Sequence, residues 1–135
     1  MYEKLNVLIV DDVPNILESL EKILKDKGVK NIVTATNGKE ALDRLEQSLK
    51  AGAVAFDLVI SDINMPELNG IQLLKRVKTD PDLKNIPIVM LTTRSEIELV
   101  LHAVESGAYT YLIKPFEKEK IEDLIEEIAD KKRPV

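Results

Sequence analysis

The chain has 135 residues, 44% hydrophobic and 32% charged, which suits one globular domain with a real core and is too short for two. Its net charge of −5 argues against a direct nucleic-acid partner, because phosphate backbones attract basic surfaces. With no cysteine and a single histidine, His102, the sequence excludes disulfides, thiolate metal centres and histidine-cluster metal sites.

Met1-Tyr2-Glu3-Lys4 leads into a short apolar run ending in two aspartates, which is no secretory signal. No segment approaches the roughly 20 apolar residues of a membrane span, so a cytoplasmic protein is expected. Leu5 to Val10, apolar except at Asn6, predicts the first strand. Pro14 suits the first turn of a helix, where its missing N–H costs nothing. Ile16, Leu17, Leu20, Ile23 and Leu24 share one face of that helix, and Gly28 is placed to end it. Ile32 to Thr36 predicts a shorter second strand. Asn37, followed three residues later by Glu40, marks a second helix start, with Ala41, Leu42, Leu45 and Leu49 as its apolar stripe. Ala51-Gly52-Ala53-Val54-Ala55 is a small-residue connection.

Leu58-Val59-Ile60-Ser61-Asp62 predicts a buried third strand ending in a carboxylate, and Met65-Pro66 and Asn69-Gly70 turn the chain after it. Asn69 caps a third helix with Ile71, Leu74 and Val77 inward, and Asp80-Pro81 stops it. Ile86 to Leu91 predicts the fourth strand, ending at Thr92. Ser95 with Glu98 forms a capping box for a fourth helix whose stripe is Ile97, Leu101 and Val104, ended by Gly107. Tyr109 to Ile113 predicts the fifth strand, followed at once by Lys114 and Pro115. Ile121, Leu124, Ile125 and Ile128 mark a fifth helix that runs out in Lys131-Lys132-Arg133.

Five alternations of apolar strand and amphipathic helix imply an α/β fold, a parallel sheet covered on both faces. In such a sheet the functional groups gather beyond the carboxyl ends of the strands. Asp11, Asp12, Asp62, Thr92 and Lys114 all stand at carboxyl ends. Carboxylates about 4 Å apart repel by about 4 kcal/mol per pair at an effective dielectric near 20. The cluster therefore needs a cation or raised pKa values. An all-oxygen donor set selects a hard ion, Mg²⁺ or Mn²⁺. A metal, a lysine and a hydroxyl around one carboxylate is the equipment of phosphoryl transfer. No Gly-rich phosphate loop is present, so the phosphoryl group comes from outside onto a carboxylate nucleophile.

These residues, in this order and spacing over 5–130, resemble the receiver domain of two-component response regulators, most closely the single-domain, CheY-like type. The motifs are Asp11-Asp12, Asp62 with Asn64-Met65-Pro66 and Gly70, Thr92, and Lys114-Pro115-Phe116. The resemblance implies a doubly wound five-stranded sheet in the order 2-1-3-4-5, the order of CheY itself, in one receiver domain over 1–135. It implies that Asp62 is the phosphoacceptor and that Asp11, Asp12, Asp62 and the backbone carbonyl of Asn64 hold Mg²⁺. Lys114 would contact the acceptor and the phosphoryl oxygens, Thr92 would shift toward the phosphoryl group, Tyr111 would rotate with it, and the Lys114–Pro115 peptide would be cis. Implied partners are a sensor histidine kinase or phosphotransfer protein, and a downstream protein at the face of the fourth helix, fifth strand and fifth helix. There Leu99, Val100, Ala103 and Tyr111 read as either edge packing or a docking patch. The chain would be a monomer or weak dimer, a phosphoacceptor that catalyses its own phosphorylation and dephosphorylation and not a conventional enzyme. Thr93 departs from the Ala or Gly usual in the family beside the switch threonine, and Asn64 and Arg94 are the other variable neighbours.

Two alternatives fit less well. An aspartyl-nucleophile phosphatase of the haloacid-dehalogenase type wants an aspartate two residues after the nucleophile, and that residue is Asn64. A flavodoxin-like carrier wants a Ser/Thr/Gly-rich first loop, and Asp11-Asp12-Val13-Pro14 would repel a flavin phosphate.

Overall fold

The structure is a computed structural model that describes residues 1–50 and 56–132. The small-residue connection at 51–55 and the chain from Arg133 onward lie outside the described residues. Strands β1 (Asn6–Val10), β2 (Asn31–Ala35), β3 (Leu58–Asp62), β4 (Ile88–Thr92) and β5 (Thr110–Ile113) pair in parallel in the order β2-β1-β3-β4-β5. Between and after them run α1 (Pro14–Lys27), α2 (Gly38–Lys50), α3 (Gly70–Thr79), α4 (Ile97–Glu105) and α5 (Lys118–Lys132).

Alternation along the strands divides the core in two. Leu8, Val10, Val59, Ile88 and Met90 face α2, α3 and α4, packing with Leu45, Leu74, Val77 and Val100. Their neighbours Val7, Ile9, Leu58, Ile60, Val89 and Leu91 face α1 and α5, packing with Leu20, Leu24, Ile121 and Ile125. Both faces are covered, so both parities must be apolar, which is why these strands read as continuous apolar runs.

The local signals act as read at most helix ends. Gly28 takes φ 111 after α1, and the N–H of Val29 returns to the Leu24 carbonyl at 3.0 Å. The Asn37 side chain accepts the Glu40 N–H at 2.8 Å, while the Glu40 carboxylate accepts the Thr36 hydroxyl at 2.9 Å. Asn69 and Gln72 form a reciprocal capping box at the start of α3. In α3 the buried residues include Leu73 as well as Leu74 and Val77, and Ile71 is only half-buried.

The start of α4 corrects the sequence reading. The capping box is formed by Thr93 and Glu96, two residues before Ser95 and Glu98, and a single 3₁₀ turn (Arg94–Glu96) precedes the helix. Val100 and Ala103 are buried, whereas Leu101, expected inside, is 50% exposed. Six of the nine residues of α4 are aliphatic. Such a helix has little polar face, so its periodicity does not set its rotation.

The loop after β3 carries the one non-glycine residue with positive φ among the described residues. Glu67 has φ 65 at the centre of a three-residue turn in which the Leu68 N–H donates to the Pro66 carbonyl at 2.8 Å. That conformation crowds a Cβ and suits glycine. Glu67→Gly is expected to raise stability by about 1 kcal/mol, seen as a higher urea midpoint at unchanged slope.

Candidate functional site: an acidic crevice at the carboxyl edge of the sheet

The strand register assembles the site. Val10 lies beside Ser61, so Asp11 and Asp62 each follow one step further along neighbouring strands. Asp62 lies beside Leu91 and Thr92 beside Ile113, with Lys114 next after it. Four strands thus stop being apolar along one edge, where Lys114 joins Asp11 to Asp62.

Lys114 is the hub. Its Nζ donates to Asp11 Oδ2 at 2.7 Å and lies 3.2 Å from Asp62 Oδ1. Asp11 is fully buried, and its Oδ1 accepts the Val13 N–H at 2.9 Å, tying the carboxylate to the entry of α1. The Ile63 N–H donates to Asp62 Oδ1 at 2.9 Å. The two bonds fall on the same oxygen, and Asp62 Oδ2 takes no protein hydrogen bond among the described residues. The Lys114–Pro115 peptide that follows is cis.

One ammonium does not balance these acids. Burial, then the charge of Asp11, pushes the Asp62 carboxyl above the ordinary range, against the opposing pull of Lys114. For Lys114, burial favours the neutral amine, but the bond to Asp11 and the charge of Asp62 outweigh it and raise its pKa.

Asp12, on the exposed side, completes an acidic group. Asp11, Asp12 and Asp62 each offer an oxygen within 4.8 Å of the others. All donors are carboxylate oxygens, two of them on buried residues with a net excess of negative charge. That set fits a hard divalent cation and offers nothing to a softer one.

Thr92 is buried at the end of β4. Its hydroxyl does not bond Asp62; it donates to the Thr93 carbonyl at 3.0 Å and lies 3.5 Å from Glu96 Oε1. Asn64 is exposed, and its side-chain amide donates to Glu96 Oε2. Glu96 also accepts the Thr93 N–H and hydroxyl, both at 3.1 Å. The sequence does not single out Glu96, because Thr93 and Glu96 show the same capping-box spacing as Ser95 and Glu98.

Tyr111, on β5 beside Met90, is half-buried against the α4-side core. It lines a groove of about 440 Å³ along β5 with Arg94, Ile113, Pro115, Phe116 and Lys120. Leu99, Val100, Ala103 and Tyr111, read as either edge packing or a docking patch, differ in burial, and Tyr111 is half-buried. Val100 and Ala103 belong to the core, and Leu99 is 44% exposed on α4.

Among the described residues no helix is long and apolar enough to cross a membrane. The response regulator receiver domain family matches residues 7–126. The chain is 33% identical over 130 residues to chemotaxis protein CheY-3 of Vibrio cholerae serotype O1, covering 93% of this chain and 95% of that one. It is 32% identical to chemotaxis protein CheY of Pseudomonas aeruginosa, covering 94% and 98%. Among solved structures, CheY4 of Vibrio cholerae superimposes with a TM-score of 0.76 at 35% identity, covering 92% and 98%. The signal receiver domain of a histidine kinase from Syntrophus aciditrophicus gives 0.82 at 31% identity, covering 96% and 93%. With a doubly wound sheet in the order 2-1-3-4-5 and an acidic crevice at its carboxyl edge, the chain belongs to the response regulator receiver domain family.

Proposed function

We propose that the chain, as a single receiver domain over 1–135, is a signalling phosphoacceptor that takes a phosphoryl group onto Asp62. The observation that carries this is the Asp62 carboxylate, held through Oδ1 by Lys114 and Ile63 and grouped with Asp11 and Asp12, while its Oδ2 takes no protein hydrogen bond among the described residues. The donor is a phosphohistidine of a sensor histidine kinase or phosphotransfer protein, or a small acyl phosphate. An oxygen of Asp62 attacks phosphorus, the bond from phosphorus to the imidazole nitrogen breaks, and the departing imidazole takes a proton. The product is an acyl phosphate, which water later cleaves to regenerate the carboxylate.

Asp11, Asp12, Asp62 and the backbone carbonyl of Asn64 would hold Mg²⁺, or Mn²⁺, in the cytoplasm. The ion supplies charge neutralisation of the phosphoryl oxygens. Lys114, already bonded to Asp11 and Asp62, is positioned to share a phosphoryl oxygen, and the Thr92 hydroxyl is the donor that shifts toward it. Tyr111 follows that shift, altering the α4–β5–α5 face for a protein partner of this monomeric or weakly dimeric chain.

Incubation with acetyl phosphate and Mg²⁺ is expected to add the mass of one phosphoryl group, lost in acid and prevented by EDTA. No adduct under these conditions would refute the proposal. In a Mg²⁺ titration, Asp12→Ala is expected to weaken binding by about tenfold or more, since even outer-shell changes reach that range. Unchanged binding removes Asp12 from the site. Thr92→Ala is expected to accept the phosphoryl group yet lose most of the amide shift change over residues 97–116 induced by beryllofluoride. Equal shifts in both proteins mean that Thr92 is not the switch.

A further inference from the structure

One residue at the crevice has no place in the chemistry above. Glu96 gathers donors from two loops, one of them the loop that follows Asp62. Its Oε1 accepts the Thr93 N–H and hydroxyl at 3.1 Å and lies 3.5 Å from the Thr92 hydroxyl, while Oε2 accepts the Asn64 side-chain amide. The carboxylate therefore bridges the loop after β3 to the turn after β4. It sits between the residue two places beyond Asp62 and the threonine at the end of β4.

We propose that Glu96 is a positioning residue that competes with the phosphoryl group for Thr92, so that phosphorylation must displace it; this rests on Asp62 being the phosphoacceptor. The reason is a shortage of protons. A threonine hydroxyl has one proton to donate, and in this structure its acceptors are the Thr93 carbonyl and, more distantly, Glu96. It cannot serve a phosphoryl oxygen without leaving both. The Thr93 N–H and hydroxyl and the Asn64 amide hold the carboxylate beside that hydroxyl. This competition favours the unphosphorylated arrangement of the β4–α4 turn. Displacement frees Asn64 and Thr93 together with Thr92, so the two loops would respond as one unit. Thr93 thus has a definite task where the family usually places a smaller residue: its hydroxyl is one of the groups that anchor Glu96.

The test is the concentration of beryllofluoride, with Mg²⁺ present, that half-saturates the shift of the Thr93 amide. Glu96→Gln keeps the shape and removes the charge; Glu96→Ala removes the bridge as well. Both are expected to saturate at about tenfold lower concentration than wild type, equivalent to about 1.4 kcal/mol. Structural damage would move the value the other way. Glu98→Gln, one step along the exposed face, is expected to match wild type. In a Thr92→Val background the substitution at Glu96 has no hydroxyl left to release, and the gain is expected to vanish. Equal saturation of wild type and both Glu96 variants overturns the proposal. So does a gain that persists with Thr92→Val, or one reproduced by Glu98→Gln, because either assigns the effect to general charge. Wild type that never responds to beryllofluoride overturns the phosphoacceptor reading first, and this proposal with it.

Discussion

Asp62→Asn is expected to abolish the acid-labile phosphoryl adduct while leaving a protein that folds at least as well as wild type. The first effect follows from chemistry, since a neutral amide oxygen is a poor nucleophile and cannot form an acyl phosphate. The second follows from the electrostatics of the metal-free crevice. Burial and Asp11 raise the Asp62 pKa in the folded state. The stabilisation belongs to the protonated form, present in full below the unfolded pKa and lost as pH rises through the folded value. At neutral pH ionised Asp62 therefore costs stability that asparagine, close to it in shape, does not. Thermal melting without metal should place Asp62→Asn above wild type at pH 7, with the gap closing below about pH 4, where the unfolded carboxylate is also protonated. Added Mg²⁺ should raise the melting temperature of wild type more than that of the variant. Intact mass after acetyl phosphate treatment supplies the other half of the test. An adduct at wild-type level in Asp62→Asn would move the phosphoryl group to another residue.

Gly70→Ala is expected to be one of the two most damaging glycine-to-alanine changes in the described chain, with Gly38→Ala, whose Cβ would stand 2.3 Å from the Leu68 carbonyl oxygen. A Cβ at Gly70 would stand 2.2 Å from the Asp62 carbonyl oxygen and 3.0 Å from Ile63 Cα, both backbone atoms. Relief by side-chain rotation is therefore excluded. The Gly70 N–H also donates to the Ile63 carbonyl at 2.8 Å, which holds the start of α3 against the end of β3. Overpacking of well-filled sites costs about 1–3 kcal/mol and sometimes more. A contact this short against main chain places Gly70→Ala at or beyond the upper end, about 3 kcal/mol, a large share of the 5–15 kcal/mol that holds a domain together. The damage falls on the peptide that carries Asp62, so phosphoryl uptake should decline even below the melting temperature. Gly107→Ala is the control: the atoms nearest its added Cβ belong to the flexible Lys78 side chain, at 3.2–3.4 Å. It still incurs backbone strain at φ 117, so it should lower stability while leaving uptake per folded molecule unchanged. Equal uptake by Gly70→Ala and wild type would show that the loop absorbs the methyl group without moving the acceptor.

The existence and order of the strands and helices were legible in the sequence because each depends on local chemistry. Apolar runs end at Asp11, Asp62, Thr92 and Lys114, and in a parallel sheet those ends must share an edge. Pro14, Gly28, Asn37 and Asn69 mark helix ends through their own dihedrals or side-chain oxygens, with no help from distant residues. Asp11, Asp62, Thr92 and Lys114 were legible for the same reason, and Glu96 was not.

What required the tertiary structure was every choice between local alternatives that only a neighbour decides. The rotation of α4 is one: its residues are apolar nearly all round, so contact with β4 and β5 selects Val100 and Ala103 for the core and leaves Leu101 in solvent. Two overlapping capping-box spacings in Thr93–Glu98 are equivalent in one dimension, and the bond from Asn64, 32 residues earlier, accompanies the one that includes Glu96. Lys114 reaches Asp11 across 103 residues of chain. Its preference for both buried carboxylates is set by burial and charge, which no local sequence window contains.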